Sequence, residues 1–200
     1  MLDGWARRKL DPVLDRMAAP LARAGISANA ITYAACAVGF AAAAAIALEA
    51  YLVGLALLLL SRLGDGLDGA VAKIEGRTDL GGFLDIVLDF AFYGAIPIGF
   101  VLTDPATNAV AGAILVFSFY VNGASFLAYA AMAERRGLVT RSRGEKSLFF
   151  TTGLAEGTET ILFFVALCLV PGWFAPLALF FAAVTFYTAL SRIVLAARTL

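Results

Sequence analysis

"SRLGDGLDGAVAKIEGRTDLGGFLDIVLDF", residues 61–90, sets four aspartates, Asp65, Asp68, Asp85 and Asp89, between two apolar stretches. YLVGLALLLL (51–60) precedes it and AFYGAIPIGFVL (91–102) follows. Read as two helices, the stretch puts Asp65 and Asp68 three apart on one face, and Asp85 and Asp89 four apart on another. Gly69 and Ala72 continue the Asp65/Asp68 face, where small residues leave room for a ligand or another backbone. At 1.5 Å per residue, Asp89 lies about 13 Å along its helix, near the hydrocarbon boundary. An isolated carboxylate there costs at least ~2.5–3.5 kcal/mol.

Four such groups on adjacent helices repel, and most would give up their charge unless something positive held them. Arg62, Lys73 and Arg77 can offset part of the charge. A divalent ion, or a pair of them, answers better than a structural salt-bridge cluster. The chain has no histidine, which removes imidazole as base, phosphoryl carrier or zinc ligand. Oxygen ligands alone suit Mg²⁺ or Mn²⁺. Such ions beside an aqueous opening point to phosphate or diphosphate chemistry, where metals neutralise charge on bridging oxygens.

The rest of the chain supplies the setting. Of 200 residues, 62% are apolar and 15% charged, with mean hydropathy +0.88, well above soluble chains in apolar share. Apolar runs of about twenty residues match a ~30 Å hydrocarbon layer crossed as helix, and they lack the polar faces of a soluble bundle. The predicted fold is therefore all-α and integral to the membrane: one domain of six transmembrane helices (26–200) after an amphipathic surface helix (1–25). Cys36 and Cys168 lie inside apolar runs without CxxC spacing and read as packing residues.

In the first segment, Leu10, Val13, Leu14, Met17 and Leu21 recur at helical steps, opposite Arg7, Arg8, Lys9, Arg16 and Arg23. Asp11 before Pro12 marks a helix start, Pro20 a kink, and Gly25 an end. Charges throughout exclude a signal peptide. Ser27 can cap the first span. The spans are predicted at 28–48, 51–75, 80–102, 107–134, 146–170 and 173–197. Under that topology the basic residues fall on one side and Glu49 and Asp104 on the other. Both termini and the aspartates are thus expected on the cytoplasmic side, of a bacterial cytoplasmic membrane.

The stretch D-G-L-D-G-A-V-A-K-(x7)-G-(x3)-D-(x3)-D, residues 65–89, resembles the D-x-x-D-G-x-x-A-R-(about eight)-G-x-x-x-D-x-x-x-D motif of the CDP-alcohol phosphatidyltransferase family. The resemblance extends over nearly the whole chain, surface helix and six spans included. It implies two divalent cations, Mg²⁺ or Mn²⁺, held by Asp65, Asp68, Asp85 and Asp89 on the diphosphate of a CDP-linked lipid. It further implies that Asp89 takes the proton of the acceptor hydroxyl, and that Gly69, Ala72 and Gly81 lie against the cytidine. Asn29 and Thr32 resemble the family's Asn-x-x-Thr and would reach the nucleotide; a helix cap with incidental polarity is the equal alternative. Lys73 stands for the family arginine, keeping the charge without the bidentate fork, and the spacer after it is one residue shorter.

The implied reaction is transfer of a phosphatidyl group from CDP-diacylglycerol to an alcohol, with CMP leaving. The reverse partition, a soluble CDP-alcohol reacting with a diacylglycerol, uses the same motif. Arg141, Arg143 and Lys146, in the basic 135–146 segment, could hold a phosphate on the acceptor or serve topology and anionic lipid. Glu156 and Glu159, predicted about three turns into the fifth span, could bind the acceptor or pair with Arg62 or Arg192. The implied partners are these substrates, the bilayer and a second copy of the chain; nucleic acid is not among them. A transporter-like or non-catalytic cation-binding protein is the rival of another class, but internal symmetry and interrupted helices are missing. Asp89→Asn is predicted to retain helicity by circular dichroism and to abolish turnover; normal turnover would remove Asp89 as the base.

Overall fold

A computed structural model describes residues 3–137 and 154–200. Among them the regular structure is helical: α1 (Asp3–Arg23), α2 (Ala28–Ala47), α3 (Tyr51–Glu75), α4 (Asp79–Thr103), α5 (Pro105–Arg135), α6 (Gly157–Leu169) and α7 (Phe174–Thr199). A 3-10 turn, Pro171–Trp173, leads into α7. Among the described residues, four stretches are long and apolar enough to cross a membrane: α2, α4, α5, and Pro171–Thr199. The predicted second span, α3, has the length but carries Arg62, Asp65, Asp68 and Lys73 in its second half. As expected, that polar half continues as helix.

The predicted fifth span, 146–170, is corrected. Within the described residues, Leu154 and Ala155 form a bend, Glu156 is the N-cap, and α6 runs only 13 residues from Gly157. The backbone N–H groups of Leu154 and Ala155 both donate to Thr188 Oγ1 of α7, each at 3.1 Å. A side-chain acceptor thereby satisfies two buried or half-buried donors outside a helix. Residues 146–153 lie outside the described residues.

The start of α1 is also corrected. The helix begins at Asp3 and carries both Pro12 and Pro20 inside it. Each proline forfeits one backbone bond, yet side-chain packing holds the helix to α3. Leu14, Ala18, Leu21 and Ala22 form a small core with Ala70 and Val71. Gly66 makes the approach possible, since a Cβ there would come within 2.8 Å of Leu14 Cδ1. Leu10, Val13 and Met17 remain exposed, so the predicted single apolar stripe is divided between two faces. Gly25, at φ +77°, ends the segment as expected, and Ser27 Oγ accepts from Ala30 N to cap α2.

α2 packs against both α3 and α4, α4 against α5, and α5 against α7. The main core lies where aromatic rings meet: Phe163 stacks on Phe181 at 4.2 Å and Phe100 on Phe174 at 5.2 Å. Cys36 and Cys168 are free and buried. At the junction of α4 and α5, Asp104 Oδ1 accepts from Thr107 N, and its bonds with Thr107 hold the carboxyl below the usual range. Between apolar helices, close backbone approach rather than hydrophobic contrast drives packing. At Gly99, a Cβ would lie 2.6 Å from the carbonyl oxygen of Ala43. Gly99→Ala must therefore push α2 and α4 apart. It is expected to cost about 1–3 kcal/mol, read as a lower unfolding midpoint in detergent; an unchanged midpoint would show that the contact is loose.

Candidate active site

The acidic stretch folds as two helices that meet across α2. α3 delivers Asp65 and Asp68, and α4 delivers Asp85 and Asp89. One carboxylate oxygen from each of Asp65, Asp68 and Asp85 lies within 4.8 Å of the others. Asp68 is buried, Asp65 half-buried and Asp85 exposed, so the group runs from the interior to the surface. Thr32, Ala35 and Cys36 of α2 wall a cavity of about 10 Å³ with Arg62, Asp65, Asp85 and Asp89, a volume on the scale of one small ion or water. Asp68 Oδ2 is buried with no hydrogen-bond partner among the described residues. A buried carboxylate oxygen is costly without one. Clustered hard oxygens, with an unsatisfied oxygen on Asp68, fit a divalent cation.

Asp89 is drawn to a different partner. Arg62 Nη1 donates to Asp89 Oδ1 at 2.6 Å and lies 3.5 Å from Asp65 Oδ1. Its guanidinium sits over the Phe92 ring at 3.7 Å, and Nη2 donates to Ser61 Oγ at 3.2 Å. Ser61 Oγ in turn donates to the Ala35 carbonyl at 2.8 Å. The predicted offset of acidic charge by Arg62 therefore has a definite geometry. The place of Arg62 was legible in spacing alone, because three residues before Asp65 is the same helical face.

The residues expected near the nucleotide rim the same end. Asn29 Oδ1 lies close to Gly81, where an added Cβ would approach it to 3.2 Å and Thr78 Oγ1 to 3.0 Å. Thr32 is buried beside Asp68. Gly69 faces open space, with nothing within 4 Å of an added Cβ, and Ala72 is half-buried. Lys73 points to α1: its Nζ donates to Asp15 Oδ1 at 3.2 Å and lies 4.0 Å from Asp11 Oδ2. That pairing was not foreseen, since sequence separation hides which helix covers α3.

Glu156 and Glu159, expected at the acceptor, stand at the N-cap and first turn of α6, not three turns deep. Arg192 of α7 feels the Glu156 charge and donates through Nη1 to the Asn122 carbonyl (3.0 Å), Asn122 Oδ1 (2.9 Å) and Ser125 Oγ (2.7 Å) of α5. Arg141, Arg143 and Lys146 lie outside the described residues.

The profile of the CDP-alcohol phosphatidyltransferase family matches residues 25–191. The chain belongs to that family. It is thus a transferase of substituted phosphate groups. The chain is 44% identical over 193 residues to inner membrane protein YnjF of Escherichia coli (strain K12), covering 96% of this chain and 94% of that one. It is 32% identical over 194 residues to the archaetidylinositol phosphate synthase of Methanothermobacter thermautotrophicus, covering 94% and 88%. Its fold is similar to that of Mycobacterium tuberculosis phosphatidylinositol phosphate synthase. The complex with manganese and citrate superposes with TM-score 0.73 at 21% identity, covering 92% of this chain and 88% of that one. The form with CDP-DAG bound gives 0.63 at 22%, covering 94% and 91%.

A ligand role for the triad has a direct check. Asp68→Asn is expected to weaken Mn²⁺ binding, measured by calorimetry, at least about tenfold, or ~1.4 kcal/mol. Unchanged affinity would exclude Asp68 as a ligand.

Proposed function

We propose that this chain transfers a phosphatidyl group from CDP-diacylglycerol to an alcohol acceptor and releases CMP. The observation that carries this reading is the convergence of Asp65, Asp68 and Asp85 within 4.8 Å, with Asp89 beside them. The four aspartates would hold two divalent cations, Mg²⁺ or Mn²⁺. When bound, these supply positive charge to the diphosphate oxygens and to the departing phosphate of CMP. The manganese and the CDP-DAG bound to the mycobacterial fold neighbour support that pairing of metal and donor.

Asp89 receives the proton of the acceptor hydroxyl as that oxygen bonds to the phosphorus bearing diacylglycerol. The bridging P–O bond breaks, and the bond's electron pair leaves with CMP. The open surface at Gly69 and Ala72 takes the cytidine, with Gly81, Asn29 and Thr32 at its edge. Lys73 exchanges Asp15 for a nucleotide phosphate. Arg141, Arg143 and Lys146 hold a phosphate on the acceptor, a reading supported by the archaeal relative's name, which specifies an inositol phosphate lipid. Glu156 and Glu159 bind acceptor hydroxyls or orient the groups that do.

The same proposal includes six crossings, with α3 and α6 completing the four long apolar stretches, and α1 in the membrane interface. The turn at 48–50 and the α4–α5 junction share the end opposite the aspartates. With basic residues gathered at the other end, both termini and the site face the cytoplasm. The functional unit is a homodimer.

Purified protein with Mn²⁺ and CDP-diacylglycerol is expected to release CMP when the right alcohol is added from a panel. The panel comprises glycerol 3-phosphate, inositol and its phosphate, serine, choline and phosphatidylglycerol. EDTA should abolish release and excess Mn²⁺ restore it. CMP released only from a soluble CDP-alcohol plus diacylglycerol would reverse the direction, and release unaffected by EDTA would end the metal reading.

A further inference from the structure

Arg62 is more firmly built into the site than charge balance requires. Its side chain is 9% exposed, and three different elements constrain it. From α4 come the Asp89 carboxylate and the face of Phe92, itself 1% exposed in the main core. From α3 comes the Ser61 hydroxyl. From α2 comes the Ala35 carbonyl, which orients that hydroxyl. Gly39 of α2 leaves the space these braces occupy: a Cβ there would lie 2.6 Å from Phe92 Cδ2 and 3.0 Å from Ser61 Oγ. A planar guanidinium stacked on a ring and forked between two acceptors loses little further freedom on binding.

Asp89 is consequently held from behind. It stands 29% exposed and is fixed at Oδ1 by a short charge-assisted bond. Asp65 lies farther from the same nitrogen, at 3.5 Å, so the short bond goes to Asp89. Holding a base within a narrow range of position is worth orders of magnitude in rate, because small displacements disrupt the attack geometry.

We infer that Arg62 is a positioning residue for the transfer: it aims the Asp89 carboxylate at the acceptor hydroxyl and is itself aimed by Phe92 and Ser61. This rests on the phosphatidyl-transfer reading above. Arg62 acts through Asp89 and touches neither substrate, so its loss should lower kcat while sparing the KM for the CDP-lipid.

The test uses the full chain in detergent, with Arg62→Lys and Arg62→Met compared at matched helicity. Arg62→Lys, which keeps charge but loses the fork and the ring contact, is expected to lower kcat about tenfold. Arg62→Met is expected to lower it at least about a hundredfold, with KM for CDP-diacylglycerol within about threefold. A second readout needs no turnover: carbodiimide labelling of Asp89, followed by mass spectrometry, should be at least about fivefold faster in Arg62→Met.

Unchanged kcat in both single variants, or equal labelling, would each overturn the inference. Should Arg62→Met fail to fold, Arg62→Lys carries the kcat, KM and labelling comparisons by itself. If the parent chain releases no CMP with any acceptor while the labelling difference persists, the transfer reading falls. The positioning role then falls with it, and the ion pair stands demonstrated.

Discussion

Mutual repulsion among four carboxylates, set where two apolar helices face one another, governs the structure around them. Charge of one sign in a poorly solvated place must meet opposite charge, metal or protons. The chain divides the work. Arg62 takes Asp89 and leans toward Asp65, while Asp65, Asp68 and Asp85 are left facing one another at metal-ligand spacing. Because Asp68 is buried with one oxygen unsatisfied among the described residues, the balance from protein groups alone is incomplete. That shortfall makes a cation the natural complement of the site.

The packing follows the same constraint. α3 and α4 must stand apart enough to leave a space between their acids, yet be held in register. α2 does both, packing on each and lining the space with Thr32, Ala35 and Cys36. Small residues let it approach: Gly99 meets the Ala43 backbone, and Gly39 admits Phe92 and Ser61. Glu75 at the end of α3 returns to accept from Ala28 N at the start of α2, so the aqueous end of the site is tied as well. α1 lies on the outside of the same half of α3, anchored by Leu14 at Gly66 and by Asp15 at Lys73. α1 is thereby joined mechanically to the helix that bears the first two aspartates.

Much of this was legible before any coordinates. The i, i+3 and i, i+4 spacing put each pair of aspartates on one face, and the span expected at 51–75 carried α3 past its apolar half. The caps at Ser27 and the stop at Gly25 were visible too. Where reading failed, the cause was tertiary. Pro12 looked like a helix start, but packing of Leu14, Ala18 and Leu21 on α3 carries the helix through it. Glu156 looked deep within a span. Instead it caps α6, because the Thr188 hydroxyl of a distant helix captures the backbone at Leu154 and Ala155.

Composition and spacing by themselves determined the class of fold, all-helical with apolar helices of membrane length, and which carboxylates share a helical face. Both are local properties: apolar run length, and the 3.6-residue period that puts side chains on one face. Only the tertiary structure decided how those carboxylates share their counter-charges, with Arg62 on Asp89 and Lys73 on Asp15. Ion pairing depends on distances across helices, and no linear pattern encodes which side chain a neighbouring helix brings within 3 Å.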